Sequence, residues 1–125
     1  MDANKKVALI IDDSEVNRHL LNIYLRKMGY ETYFAEDGEK GLEKFRTIRP
    51  FFTFLDIVMP RKSGLEILKE LKKIDSNAIV IMVSSFVTNE NLNEAKRLGA
   101  DWFIMKPFTR EKLIEIVKKF EETSE

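Results

Sequence analysis

A chain of 125 residues has room for one domain of ordinary size, able to bury roughly two-thirds of its unfolded surface around a single core. Its 21 basic and 21 acidic residues cancel, so overall charge singles out neither nucleic acid nor an anionic membrane as an obligatory partner. The absence of cysteine excludes disulfides, thiolate metal sites and cysteine nucleophiles; no apolar run nears the roughly 20 residues of a membrane span, and MDANKK opens no signal peptide, so the expected location is the cytoplasm.

Short apolar runs alternate with longer stretches of helical period, the pattern of a parallel sheet covered by helices, and five such strand-helix units can be counted. The first strand is Val7 to Ile11; Ser14 then caps a helix whose Val16, Leu20, Ile23 and Met28 are expected to face inward, with Gly29 as its stop. YETYFAE reads as a more polar second strand near a sheet edge. Gly38 to Arg46 is a helix with Leu42 and Phe45 inward, and Pro50 ends the connection that follows. FFTFLD is the third strand, and Gly64 opens a helix carrying Leu65, Ile67, Leu68 and Leu71. AIVIMV is the most apolar stretch and the best candidate for a central strand. A fourth helix, about Glu90 to Leu98, has a thin stripe of Leu92, Ala95 and Leu98 and is expected to be the least stable. WFIM is the fifth strand, and Thr109 caps a last helix with Leu113, Ile116, Val117 and Phe120 inward, after which EETSE is expected to fray.

The polar residues fall at informative places. Asp12 and Asp13 end the first strand, Asp56 the third, Ser84 the fourth and Lys106 the fifth, all at carboxyl ends. In a parallel sheet these ends share one edge, where open sheets of this class bind ligands. Two unit charges about 4 Å apart repel by roughly 4 kcal/mol at an effective dielectric near 20, so three carboxylates call for neutralisation. Lys106 supplies one positive charge; the remaining excess, with only oxygen ligands at hand, suits a hard divalent ion, best Mg²⁺ with Mn²⁺ as a substitute. An aspartate beside a Lewis acid, a lysine and a hydroxyl can attack a phosphoryl group.

IIDDSEVNR, FLDIVMP, MVSS and MKPF, in this order and spacing, closely resemble the receiver domains of bacterial two-component response regulators over residues 5 to 121. The resemblance implies an α/β flavodoxin-like (βα)5 fold, with a five-stranded parallel sheet in the order 2-1-3-4-5 and helices on both faces. It implies that Asp56 is the phosphoacceptor, that Asp13 and Asp56 bind the metal directly with the backbone carbonyl of Val58, and that Asp12 acts mainly through water. Ser84 would contact the phosphoryl group, Lys106 would pair with it, Lys106-Pro107 would be cis, and Phe103 would be the switch aromatic, here without a hydroxyl. Val58 and Phe86 lie where the family often tunes phosphoryl lifetime, and their apolar side chains are expected to hinder the attacking water. Phe51 stands where an acid is frequent, and RKSG replaces a frequent Asp-Gly turn.

The implied function is a phosphorylation-driven switch, catalysing only its own phosphoryl transfer and dephosphorylation and changing its helix 4, strand 5 and helix 5 surface to signal output. The donor would be a sensor histidine kinase or histidine phosphotransfer protein docking on Ser14, Glu15, Asn17, Pro107 and Phe108, with a further protein downstream. Nucleic acid and membrane are not expected as partners, and a monomer, dimerising weakly on phosphorylation, is expected. One domain over residues 1–125 fits either a single-domain regulator or a receiver cut from a longer chain. Two other readings carry distinguishing marks. An aspartyl-nucleophile phosphatase of the haloacid dehalogenase kind wants a second Asp where Val58 stands, and a pseudo-receiver should have lost a site residue, whereas none is lost. Asp12 and Asp13 as mere helix-start acids would gain only a few tenths to about 1 kcal/mol, less than their repulsion costs. His19 reads as a solvated helix residue, and Trp102, Phe86, Val87 and Phe108 as either core or partner surface.

Overall fold

The computed structural model describes residues 4–85 and 87–123. Strands and helices alternate: β1 (Asn4–Ile11), α1 (Glu15–Lys27), β2 (Glu31–Ala35), α2 (Gly38–Ile48), β3 (Pro50–Leu55), α3 (Gly64–Ile74), β4 (Ile79–Ser84), α4 (Asn89–Arg97), β5 (Trp102–Met105) and α5 (Arg110–Thr123). All strand pairs are parallel, in the order β2-β1-β3-β4-β5. The polar β2 is an edge strand, as its composition predicts. AIVIMV forms an interior strand, but β3 takes the middle.

Alternation along each strand divides the core in two. Leu9, Ile11, Leu55, Val80 and Met82 point to the face covered by α2, α3 and α4. Ala8, Ile10, Phe52, Phe54, Ile81 and Val83 point to the face covered by α1 and α5. Pro50 ends the preceding connection as the first residue of β3, a position in a strand where its missing N–H costs little. Side chains of Ser14, Asp37, Ser63, Thr88 and Thr109 accept hydrogen bonds from amides three residues on, capping all five helices.

Two expectations require correction. On α1 the fully buried residues are Leu21 and Leu25, whereas Val16 is 76% exposed and Ile23 stands at the surface. With Leu20 and Leu21 adjacent, the apolar spacing leaves two helix faces open, and the sheet's position decides between them. EETSE is expected to fray, but the last two residues of that stretch lie outside the described residues, and α5 runs through Thr123. Its end is held by Glu121, which accepts hydrogen bonds from Tyr30 and Lys6, and by Phe120, whose ring meets Phe52 at 6.4 Å and Trp102 at 6.2 Å. Burial and the Glu121 carboxylate push the Tyr30 phenol pKa up, so it stays a donor.

Candidate functional site

The sheet ladder extends past its strands to place the acidic groups. The Asp12 amide donates to the Ala35 carbonyl at 3.1 Å and the Asp56 amide to the Ile11 carbonyl at 3.0 Å, so both aspartates are fixed on the carboxyl edge by backbone alone. Lys106 is fixed similarly, its amide donating to the Ser84 carbonyl at 2.9 Å, with a cis bond to Pro107 turning the chain away. Ser84 is fully buried at the end of β4, in register with Met105. Residues far apart in sequence thus meet at adjoining strand ends.

Their side chains converge as well. Carboxylate oxygens of Asp12, Asp13 and Asp56 lie within 4.8 Å of one another. The Lys106 ammonium donates to Asp12 Oδ2 at 2.8 Å and to Asp56 Oδ2 at 3.1 Å. The other Asp12 oxygen accepts from the Ser14 amide at 2.8 Å, and Arg18 Nη1 donates to the Asp12 carbonyl at 2.7 Å. Burial pushes the Asp12 pKa above the ordinary carboxylate value, against the opposing pull of Lys106 and the Ser14 amide, with a smaller upward push from Asp56. Asp13 is exposed, and among the described residues no hydrogen bond or ion pair engages its carboxylate.

This donor set fits a hard divalent cation. It is all oxygen, three carboxylates stand against one ammonium, and both Asp12 oxygens already have partners, whereas Asp13 and Asp56 Oδ1 remain largely available. Among the described residues Asp56 Oδ1 has a single long contact, 3.4 Å, from the Val58 amide. Gly64 supports this corner by close approach: a Cβ there would stand 1.9 Å from the Asp56 carbonyl oxygen, and its amide donates to the Ile57 carbonyl at 2.7 Å. No other residue fits there.

The remaining sequence candidates distribute around this centre. The Val58 side chain is 55% exposed at its rim, and Phe86 lies outside the described residues. Ser14, Glu15 and Asn17 form the start of α1, and Pro107 is exposed beside Lys106. Phe108 is half-buried, edge-on to Tyr24 at 6.3 Å, so core packing takes part of that ring. His19 is exposed on α1. Phe103 is half-buried against the face of the core shared with α4, and lines a groove of about 410 Å³ with Leu92, Ala95, Ala100 and Trp102. Trp102 lies at the surface under the Lys119 ammonium, 3.8 Å from its ring. Sequence reasoning missed Val16, an exposed apolar group beside the acidic pair, because helical spacing assigned it to the core. It also missed Arg18, whose contact is to backbone and leaves no trace in residue pattern.

The model of the response regulator receiver domain family matches residues 8–118. The chain belongs to that family. This receiver domain is 36% identical over 115 residues to the chemotaxis protein CheY of Thermotoga maritima, covering 91% of this chain and 96% of that one. A CheY-like receiver domain protein from Methanospirillum hungatei superposes with a TM-score of 0.91 at 29% identity, covering 96% of each chain. The response regulator protein TrrA from Thermotoga maritima, solved in complex with Mg²⁺ and BeF, matches at 35% identity and a TM-score of 0.83, over 91% of this chain and 97% of that one. As a receiver domain, the chain is a phosphorylation-activated signalling switch of the two-component class. No described helix is long and apolar enough to cross a membrane.

Proposed function

We propose that Asp56 is the phosphoacceptor and that the donor is a phosphohistidine on a sensor histidine kinase or histidine phosphotransfer protein. The observation that carries this reading is the placement of the Asp56 carboxylate, almost fully buried, against the Lys106 ammonium and within 4.8 Å of the Asp12 and Asp13 carboxylates. An Asp56 oxygen attacks phosphorus, the P–N bond breaks as the P–O bond forms, and the imidazole leaves with the electron pair and takes up a proton. The product is an acyl phosphate on Asp56, later hydrolysed by water. Lys106 offsets charge on the transferring oxygens and Ser84 donates a hydrogen bond to them. Asp13, Asp56 and the Val58 carbonyl would hold Mg²⁺, or Mn²⁺ in its place, with Asp12 acting mainly through water. The ion, when bound, supplies charge neutralisation on the phosphoryl oxygens.

Phosphorylation adds roughly two negative charges. Ser84 and Lys106 are drawn toward them, the loop after β4 follows, and Phe103 turns inward, which remodels the α4, β5 and α5 surface read by a downstream protein. The donor docks on Ser14, Glu15, Asn17, Pro107 and Phe108, with the exposed Val16 among them, in the cytoplasm. Val58 and Phe86 hinder water and lengthen the phosphoryl lifetime. The receiver acts as one unit over about residues 5–121. The test is intact-mass spectrometry after incubation with acetyl phosphate and Mg²⁺. Wild-type protein is expected to gain one phosphoryl mass and Asp56→Asn none; equal gain in both, or none in either, rejects the reading.

A further inference from the structure

The loop between β3 and α3, residues 56–63, carries both Asp56 and Val58, and its two ends are held by backbone. At the start the Asp56 amide pairs with β1, and at the end Gly64 is pressed against the Asp56 carbonyl. Its middle is held by charge instead. Arg61 donates to Asp37 Oδ2 at 2.9 Å, and Lys62 lies 2.9 Å from Glu39 and 3.3 Å from Glu70. These contacts tie the loop to α2 on one side and α3 on the other. Asp37 is a rigid anchor, being buried and already committed as the cap of α2 through the Lys40 amide at 2.9 Å.

Arg61 has φ of 69°, in the left-handed region where a side chain is disfavoured and glycine is the default residue. A turn chosen for backbone geometry alone would carry glycine. The structure therefore bears a strained arginine at a place where, among the described residues, its side chain hydrogen-bonds to Asp37 alone.

We infer that Arg61 is a positioning residue for the metal and phosphoacceptor site: its pairing with Asp37 fixes the loop that carries Val58, and the affinity of the site for a divalent cation depends on that hold. The inference rests on the reading of Asp13, Asp56 and Val58 as metal ligands. Lys62 shares the task through contacts to Glu39 and Glu70.

The test compares wild type, Arg61→Gly, Arg61→Lys and Asp37→Asn by calorimetric titration with MgCl₂ and by thermal melting without metal. Glycine relieves the backbone strain, so Arg61→Gly is expected to melt no lower than wild type while its Mg²⁺ Kd rises about three-fold, the scale set by one partly exposed ion pair. Arg61→Lys should bind close to wild type, and Asp37→Asn, which keeps a capping side chain, should weaken binding as Arg61→Gly does. At 1 M KCl, where the screening length falls to about 3 Å, the ratio of variant to wild-type Kd should approach one. Hydrogen exchange of residues 57–63 should be faster in Arg61→Gly. Wild-type affinity in Arg61→Gly, or a loss that persists in high salt, overturns the inference while leaving the phosphoacceptor reading intact. A wild-type protein without Mg²⁺ affinity overturns both.

Discussion

Asp12 illustrates the tension that a single residue can hold. Its carboxylate is 2% exposed and shares Lys106 with Asp56, yet burial outweighs these partners and raises its pKa above the ordinary value of 3.8. Because the folded protein then binds this proton more tightly than the unfolded chain does, the stability linked to Asp12 is complete below the ordinary pKa and is lost as pH rises through the raised one. At neutral pH without metal the charged Asp12 is thus a burden on the fold. In the presence of chelator, Asp12→Asn should have a higher Tm than wild type at pH 7, and the gap should shrink as pH falls toward the ordinary carboxylate range. A lower Tm for the variant at pH 7 would show that the Lys106 hydrogen bond, not desolvation, dominates. The acidic residues themselves were legible in the sequence, as were Lys106 and Ser84, because their types and their places after apolar runs are local facts. The Arg18 contact to a backbone carbonyl and the Arg61 pair with Asp37 were not, since a backbone acceptor leaves no mark in residue type and the ion pair joins residues 24 positions apart.

Among the elements, α4 differs from its neighbours. Its only buried residue is Ala95, whereas α3 buries Gly64, Ile67, Leu68 and Leu71. Helical stability in proteins comes mostly from the packed face, so α4 has little to hold it beyond the Thr88 cap and the Glu94 to Arg97 pair. Amide exchange should therefore be faster across Asn89–Arg97 than across Gly64–Ile74, by a margin visible in peptide-resolved hydrogen exchange. Equal protection of the two helices would argue against α4 as the mobile part of the switch. By contrast α5 is bound at its far end through Glu121 and Phe120. Element existence and order followed from apolar period, and the Ser14 and Thr109 caps were visible in the sequence. The inward face of α1 was not, because adjacent leucines at 20 and 21 satisfy more than one helical register.

At the scale of the whole molecule, the site couples folding to ion binding. An ion that binds the folded state alone stabilises it by mass action, about 2.7 kcal/mol at a hundred-fold excess over Kd. The Tm should accordingly climb with MgCl₂ in wild type and far less in Asp13→Asn, whose carboxylate no described residue engages; a Tm indifferent to Mg²⁺ would contradict the metal reading. The strands' sequence of appearance, the acids at their carboxyl ends and the thin fourth helix were determined by the chain itself, because local periodicity and strand-end chemistry depend only on neighbouring residues. Strand order was implied by family resemblance rather than by periodicity. What tertiary structure alone decided is that Lys106 lies between Asp12 and Asp56, that Gly64 backs the Asp56 carbonyl, and that Val16 faces outward. These follow from non-local pairing, in which each β-strand is placed by partners dozens of residues away.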